Sequence, residues 1–184
     1  MTLASPRIVE PIEMPSTQPP RLAGFAELYA QHYDVVFRAA LRVTGRLADA
    51  EDVLQTVFLR LLSQSDRDRG RERGGGGAEA WPTAYFKRAA VNAAVDLLRR
   101  RAVHGETVYD DLAPHAAVEP ALLLKEQLRR AIATLENEDA TLFLLRYVEG
   151  LSNEELASLF QLEKNNVAVR LHRIRMRLQK ELDR

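Results

Sequence analysis

From Phe25 onward, apolar side chains return every third or fourth residue: Phe25, Leu28, Tyr29, His32, Val36, Ala39 and Val43. That period belongs to an α-helix with one buried face; a half-buried strand would alternate instead. The same spacing recurs at Ala50, Leu54, Val57, Phe58 and Leu61. This second helix opens near Asp49, with Glu51 and Asp52 in the first turn, where negative charge suits the positive end of the helix dipole. A third helix is predicted from about Pro82, because proline is tolerated at the first helical position. It buries Phe86, Ala89, Ala90, Ala93, Leu97 and Leu98. Residues 121–136, about 139–149, and the segment 152–178 supply four more helices, and Gly150 is placed to end the fifth in a left-handed cap. No alternating stretch of useful length occurs, so the fold class is all-α.

Three segments interrupt the helical pattern. Residues 1–21 hold five of the eight prolines and read as a disordered tail. Residues 63–80, with four consecutive glycines, read as a flexible loop. Residues 102–120 contain no Lys or Arg but carry Glu106, Asp110, Asp111 and Glu119, and read as an acidic linker. The predicted organisation is therefore a helical domain over 22–101 and a second over 121–184, the linker lying between them.

Charge sharpens this division. Twenty-six basic residues balance twenty-six acidic ones, which argues against a uniformly basic coat. The basic residues are clustered, however: Lys87, Arg88, Arg99, Arg100 and Arg101 oppose only Asp96, and seven Lys and Arg oppose two acids over 164–184. There is no cysteine, so no disulfide framework and no thiolate metal site. The four histidines lack metal-ligand spacing, and nothing resembles a phosphate-cradling loop. No catalytic residue, metal or cofactor is expected. No apolar run approaches the ~20 residues that span a bilayer, and no secretory signal is apparent. A cytoplasmic protein without membrane insertion is the expectation.

The stretch SNEELASLFQLEKNNVAVRLHRIRMRL, 152–178, reads as helix, corner, helix. Ser152 and Glu155 form a capping box at its start. Leu156, Ala157 and Phe160 face inward, Leu162 plugs the corner, and Val167, Leu171, Ile174 and Leu178 make the inner face of the second helix. This is the pattern of a helix-turn-helix, whose second helix enters a DNA major groove. Lys164, Asn165 and Asn166 stand at its N-terminal end, where base edges are met, and Arg170, His172 and Arg173 can reach phosphates or guanine. Arg175, Arg177 and Lys180 fit a simpler role at the negative end of their own helix dipole. Gln161 occupies a corner position where glycine is common; a left-handed backbone there would cost roughly 1 kcal/mol.

On the third helix, Arg88, Asn92, Asp96 and Arg100 fall on one polar stripe at steps of four, with Arg99 and Arg101 beside it. Asp96 is spaced to pair with Arg100. Trp81, Tyr85 and Phe86 could stack on unpaired bases, although Phe86 reads better as core.

Together these residues resemble a bacterial RNA polymerase sigma factor of the extracytoplasmic-function group, the two-domain form. AEDVLQTVFLRLL, 50–62, is similar to the family's polymerase-docking helix. AYFKRAAVNAAVDLLRRR, 84–101, resembles its minus-ten helix, and LRYVEGLSNEELASLF with VRLHRIRMRL resembles its minus-thirty-five domain. The resemblance implies that Asp52, Gln55 and Leu59 dock on core RNA polymerase. It implies that Arg88, Asn92, Asp96, Arg99 and Arg100 meet the minus-ten element. Lys164, Asn165, Asn166, Arg170, His172 and Arg173 would meet the minus-thirty-five element. Core polymerase, promoter DNA and an anti-sigma factor are the implied partners. Tyr85 stands where tryptophan is common, Asn166 replaces a frequent threonine, and Ala168 and Val169 replace a basic residue and serine, which removes polar groups from the readout surface. The residues alone also allow a helix-turn-helix regulator with an N-terminal sensing or dimerisation lobe, or a helical adaptor whose basic surfaces meet acidic proteins.

Overall fold

The computed structural model describes residues 22–68, 82–104 and 120–183. Among them the chain is entirely helical, in seven elements: α1 Leu22–Thr44, α2 Leu47–Asp68, α3 Thr83–His104, α4 Pro120–Ala133, α5 Asn137–Tyr147, α6 Asn153–Phe160 and α7 Lys164–Leu182. α1, α2 and α3 pack together as a first lobe, and α4 to α7 form a second. The proline-rich tail, the glycine-rich part of the loop, Trp81 and most of the acidic linker lie outside the described residues. No helix among the described residues is long and apolar enough to cross a membrane.

The first lobe forms because the stripes of α1 and α2 close over α3. Val36, Ala39 and Ala40 meet Val53, Val57, Phe86 and Ala90, all 3% exposed or less. His32 belongs to this core, as its spacing implies, and its ring stacks on Phe86 with centroids 3.7 Å apart. In the second lobe, Leu142, Leu145, Leu156 and Val167 are completely buried. Local signals set its corners. Ser152 Oγ accepts from the Glu155 N–H at 3.2 Å, while Glu155 Oε2 accepts from the Ser152 N–H at 2.7 Å. Gly150 takes φ 74°, which lets the Leu151 N–H return to the Leu145 carbonyl at 3.0 Å and close α5.

Three boundaries differ from the sequence reading. α2 continues through 63–68 before the glycines, since extending a formed helix adds a hydrogen bond per residue fixed. Ser63 Oγ also donates back to the Leu59 carbonyl at 2.9 Å. α3 runs to His104, past the expected linker start, and α4 begins at Pro120, which the linker had included; proline needs no partner for an N–H it lacks.

A larger difference concerns the lobes themselves. α3 packs not only on α1 and α2 but also on α4, α5 and α6. Val91, Ala94 and Val95 are therefore fully buried beside the expected Phe86, Ala90, Ala93 and Leu98, while Ala89 and Leu97 are only partly covered. α3 is the central helix of the molecule.

Candidate nucleic-acid interface

Three surfaces carry the candidate residues. On α2, Asp52, Gln55 and Leu59 recur at intervals of three and four and all point outward, Leu59 being 61% exposed. They lie opposite Val53, Leu54, Val57 and Phe58, which hold the helix against the core. An exposed leucine flanked by an acid and an amide suits a protein partner better than a polyanion.

α7 presents the second surface. Its inner face, Val167, Leu171, Ile174 and Leu178, is buried to 4% exposure or less, so the helix rests on a continuous apolar stripe. Lys164, Asn165, Asn166, His172 and Arg173 are exposed, as their spacing implies. At 100° per residue, Val169 and Met176 fall almost opposite the buried stripe, and they are 50% and 55% exposed. The outermost line of this helix is thus apolar and flanked by amides and cations; the same periodicity that located the inner face would have singled out Met176.

Arg170 stands apart from that group. Its Nε donates to Asp139 Oδ1 at 2.5 Å and its Nη2 to Glu138 Oε2 at 2.8 Å, both from the first turn of α5. Burial acts to lower its pKa, but the two carboxylates outweigh that and raise it, so the guanidinium is held charged. It ties the recognition helix to the helix beneath. Lys164 pairs with Glu154 of α6 across the corner, where Gln161 adopts the left-handed conformation at φ 55°.

The third surface, on α3, is mostly occupied by the molecule itself. Arg88 Nη1 donates to the Leu159 carbonyl, its guanidinium lies 4.2 Å from the centre of the Phe160 ring, and burial lowers its pKa. Asn92 Oδ1 accepts from the buried Thr141 hydroxyl at 2.5 Å. Arg99 donates to the Leu135 carbonyl. Arg100 remains exposed. The expected Asp96–Arg100 pair is replaced: Asp96 faces Arg60 of α2 at 3.9 Å, because the neighbouring helix brings a cation to it. Of the aromatics, Phe86 is core, and Tyr85 is half-buried with its phenol pushed up to about 12 by burial. Among the described residues no group of His, Asp or Glu is arranged to hold a metal ion.

A helix-turn-helix with an open polar face, joined in one chain to a second cationic helical module, defines a DNA-binding transcription protein. Residues 28–103 match the family model for Sigma-70 region 2, and residues 125–178 match that for Sigma-70, region 4. The RNA polymerase sigma factor CarQ of Myxococcus xanthus is 31% identical over 154 residues, covering 82% of this chain and 84% of that protein. The ECF RNA polymerase sigma factor SigW of Bacillus subtilis is 24% identical over 176 residues, covering 86% and 89%. The ECF RNA polymerase sigma factor SigE of Mycolicibacterium smegmatis is 30% identical over 165 residues, or 85% of this chain, which spans 61% of that relative's length. The chain belongs to the extracytoplasmic-function group of RNA polymerase sigma factors. Its function is accordingly to direct promoter-specific transcription initiation.

Proposed function

We propose that the three surfaces divide the work of initiation. The outer face of α2, through Asp52, Gln55 and Leu59, docks on core RNA polymerase. The polar face of α3, through Arg88, Asn92, Asp96, Arg99 and Arg100, meets the minus-ten element. The outer face of α7, through Lys164, Asn165, Asn166, His172 and Arg173, enters the major groove of the minus-thirty-five element. Arg170 serves as a positioning residue there, because its Nε and Nη2 already donate to the carboxylates of α5. The observation that carries this reading is the pairing of a bare, cation-flanked face on α7 with a fully buried inner stripe, downstream of a region 2 module.

Val169 and Met176, exposed at the centre of the groove-facing side, suit apolar contact with thymine methyl groups. In this reading the protein performs no covalent chemistry, acts in the cytoplasm with polymerase, and is restrained by an anti-sigma partner, an expectation that rests on family membership.

In vitro transcription with purified core enzyme tests the reading. Charge reversal at Asp52 combined with Gln55→Ala is expected to weaken core binding and leave the fold intact. Unchanged core binding would favour a helix-turn-helix regulator that works without polymerase docking.

A further inference from the structure

The outer side of α7 has an apolar centre. On a helix surface the neighbours of Val169 are the residues three and four away, Asn165 and Asn166 on one side, His172 and Arg173 on the other. All four are exposed, and so is Val169 in their midst. At 100° per residue it lies about 200° round the helix from the fully buried Val167. A single exposed apolar side chain would mean little. Here the feature recurs: Met176 is exposed on the same line, seven residues or about 10.5 Å further along. The line that faces the groove is thus apolar at Val169 and Met176, while its flanks carry amides and cations.

Val169 is also held still. Valine is branched at Cβ, so in a helix it keeps essentially one χ1 rotamer. Val167 and Leu171, two residues to either side, anchor the helix in the core. Arg170, the next residue, clamps the same turn to Asp139 and Glu138 of α5. A pair of methyl groups fixed in this way can read one position of a duplex. The unbranched Met176 instead adapts its shape to the apolar surface it meets.

The chemistry of the major groove narrows what can face such a residue. Guanine presents N7 and O6 there, adenine N7 and N6, and cytosine its N4 amino group; thymine adds an apolar group, its C5-methyl. A polar base edge covered by valine loses its water and gains no partner, whereas a methyl group covered by valine leaves water favourably. We propose that Val169 is a reader of pyrimidine C5-methyl groups, the residue of α7 that selects a methyl-bearing base pair in the minus-thirty-five element. This inference rests on the proposed placement of α7 in that element's major groove. The methyl group has two sources in DNA, thymine and C5-methylated cytosine, which carry it at the same ring position. Promoter choice by this chain is therefore set in part by a single methyl group.

Holoenzyme reconstituted from core enzyme and the full chain provides the test. It first selects duplexes from an unmethylated library randomised over the minus-thirty-five region. Each thymine of the selected element is then replaced singly by deoxyuridine, which removes the C5-methyl and leaves base pairing intact. At one thymine or more this replacement is expected to weaken holoenzyme binding on the order of fourfold, the factor that burial of one methyl-sized group supplies. With Val169→Ser the same replacement should change binding by less than about 1.5-fold, and the denaturation midpoint of this surface variant should match that of the unmodified chain. In a second arm a cytosine–guanine pair replaces that thymine–adenine pair. Tighter binding on C5-methylation of the cytosine, seen with Val169 and lost with Val169→Ser, supports the proposal with both sources read. A deoxyuridine loss without that gain supports it with thymine as the source. An element with thymine on neither strand, no deoxyuridine loss at any position, or losses equal for the chain and for Val169→Ser overturns the methyl reading. Holoenzyme that selects no sequence over this region overturns the placement of α7 itself.

Discussion

α3 and α7 each carry a run of cations along a helix of similar length, 22 and 19 residues, yet α3 turns most of its cations toward the other lobe and α7 turns its own toward solvent. The difference lies in what lies between the cations. α7 has one apolar stripe, Val167 to Leu178, and everything off that stripe is polar or exposed. α3 is built on small residues, with Ala89, Ala90, Ala93 and Ala94 together covering a broad arc of its surface, about 140° at 100° per residue. Small side chains let neighbouring helices approach from several directions, and two lobes do so. A charge run therefore reports a binding face only after the number of buried faces on its helix is known.

The largest effects should separate the inner from the outer face of the helix-turn-helix. Leu156 is fully buried beneath α7, and Leu156→Ala is expected to cost about 2–5 kcal/mol, read as a lowered denaturant midpoint. Met176→Ala, on the outer line, should shift that midpoint by less than about 0.5 kcal/mol while altering promoter preference. Equal losses at the two positions would break the distinction between the faces.

Within the cations of α7, Arg170 and Arg173 should behave oppositely. Arg170→Ala leaves Asp139 and Glu138 without their partner and is expected to lower stability by about 1–2 kcal/mol, given its partial exposure. Arg173→Ala should leave stability unchanged, weaken promoter binding, and reduce the salt slope of that binding by about 1. A lost salt-slope unit from Arg170→Ala, with no change in stability, would return Arg170 to the phosphate-contacting set.

These outcomes also bear on what a linear reading can reach. The capping box at Ser152, the left-handed Gly150 and the inner stripe of α7 were legible because each depends on residues within one or two turns. Asp52, Gln55 and Leu59 were singled out by the family resemblance, and the structure places all three on the exposed side of α2. Asp96 was read as a partner for Arg100 because only its own helix was in view, whereas Arg60 comes from α2. Val91, Ala94 and Val95 escaped because one buried face was assumed and α3 has more. The attachment of Arg88, Asn92 and Arg99 to the second lobe depends on residues 36 to 71 positions away, beyond any local rule.

The buried histidine of the first lobe offers a pH test of how tightly α3 is held. His32 is 4% exposed and stacked on Phe86, and its Nε2 has no hydrogen-bond partner among the described residues. Burial lowers its pKa below the ordinary 6.5. The unfolded chain therefore takes up a proton first as pH falls, so stability is complete above 6.5 and declines from there down to the lowered folded value. The decline is limited to one proton, about 1.4 kcal/mol per pH unit within that window. His32→Phe should flatten this part of the stability profile, and a profile unchanged by the substitution would show that His32 is not the group responsible.

The smallest effect belongs to the corner that orients α7. Gln161 is the non-glycine residue that the described chain holds at positive φ, at 55°. There the Cβ crowds the following carbonyl oxygen at a cost of roughly 1–2 kcal/mol, which glycine avoids. Glycine also gives the unfolded chain more freedom, which offsets about 0.4–1 kcal/mol of that relief. The net expectation for Gln161→Gly is a gain of between about zero and 1.6 kcal/mol, with promoter preference unchanged because the Gln161 side chain lies off the groove-facing line. If stability falls instead, the Gln161 side chain contributes more than its backbone strain costs, and the corner is tuned by its side chain and not merely tolerated.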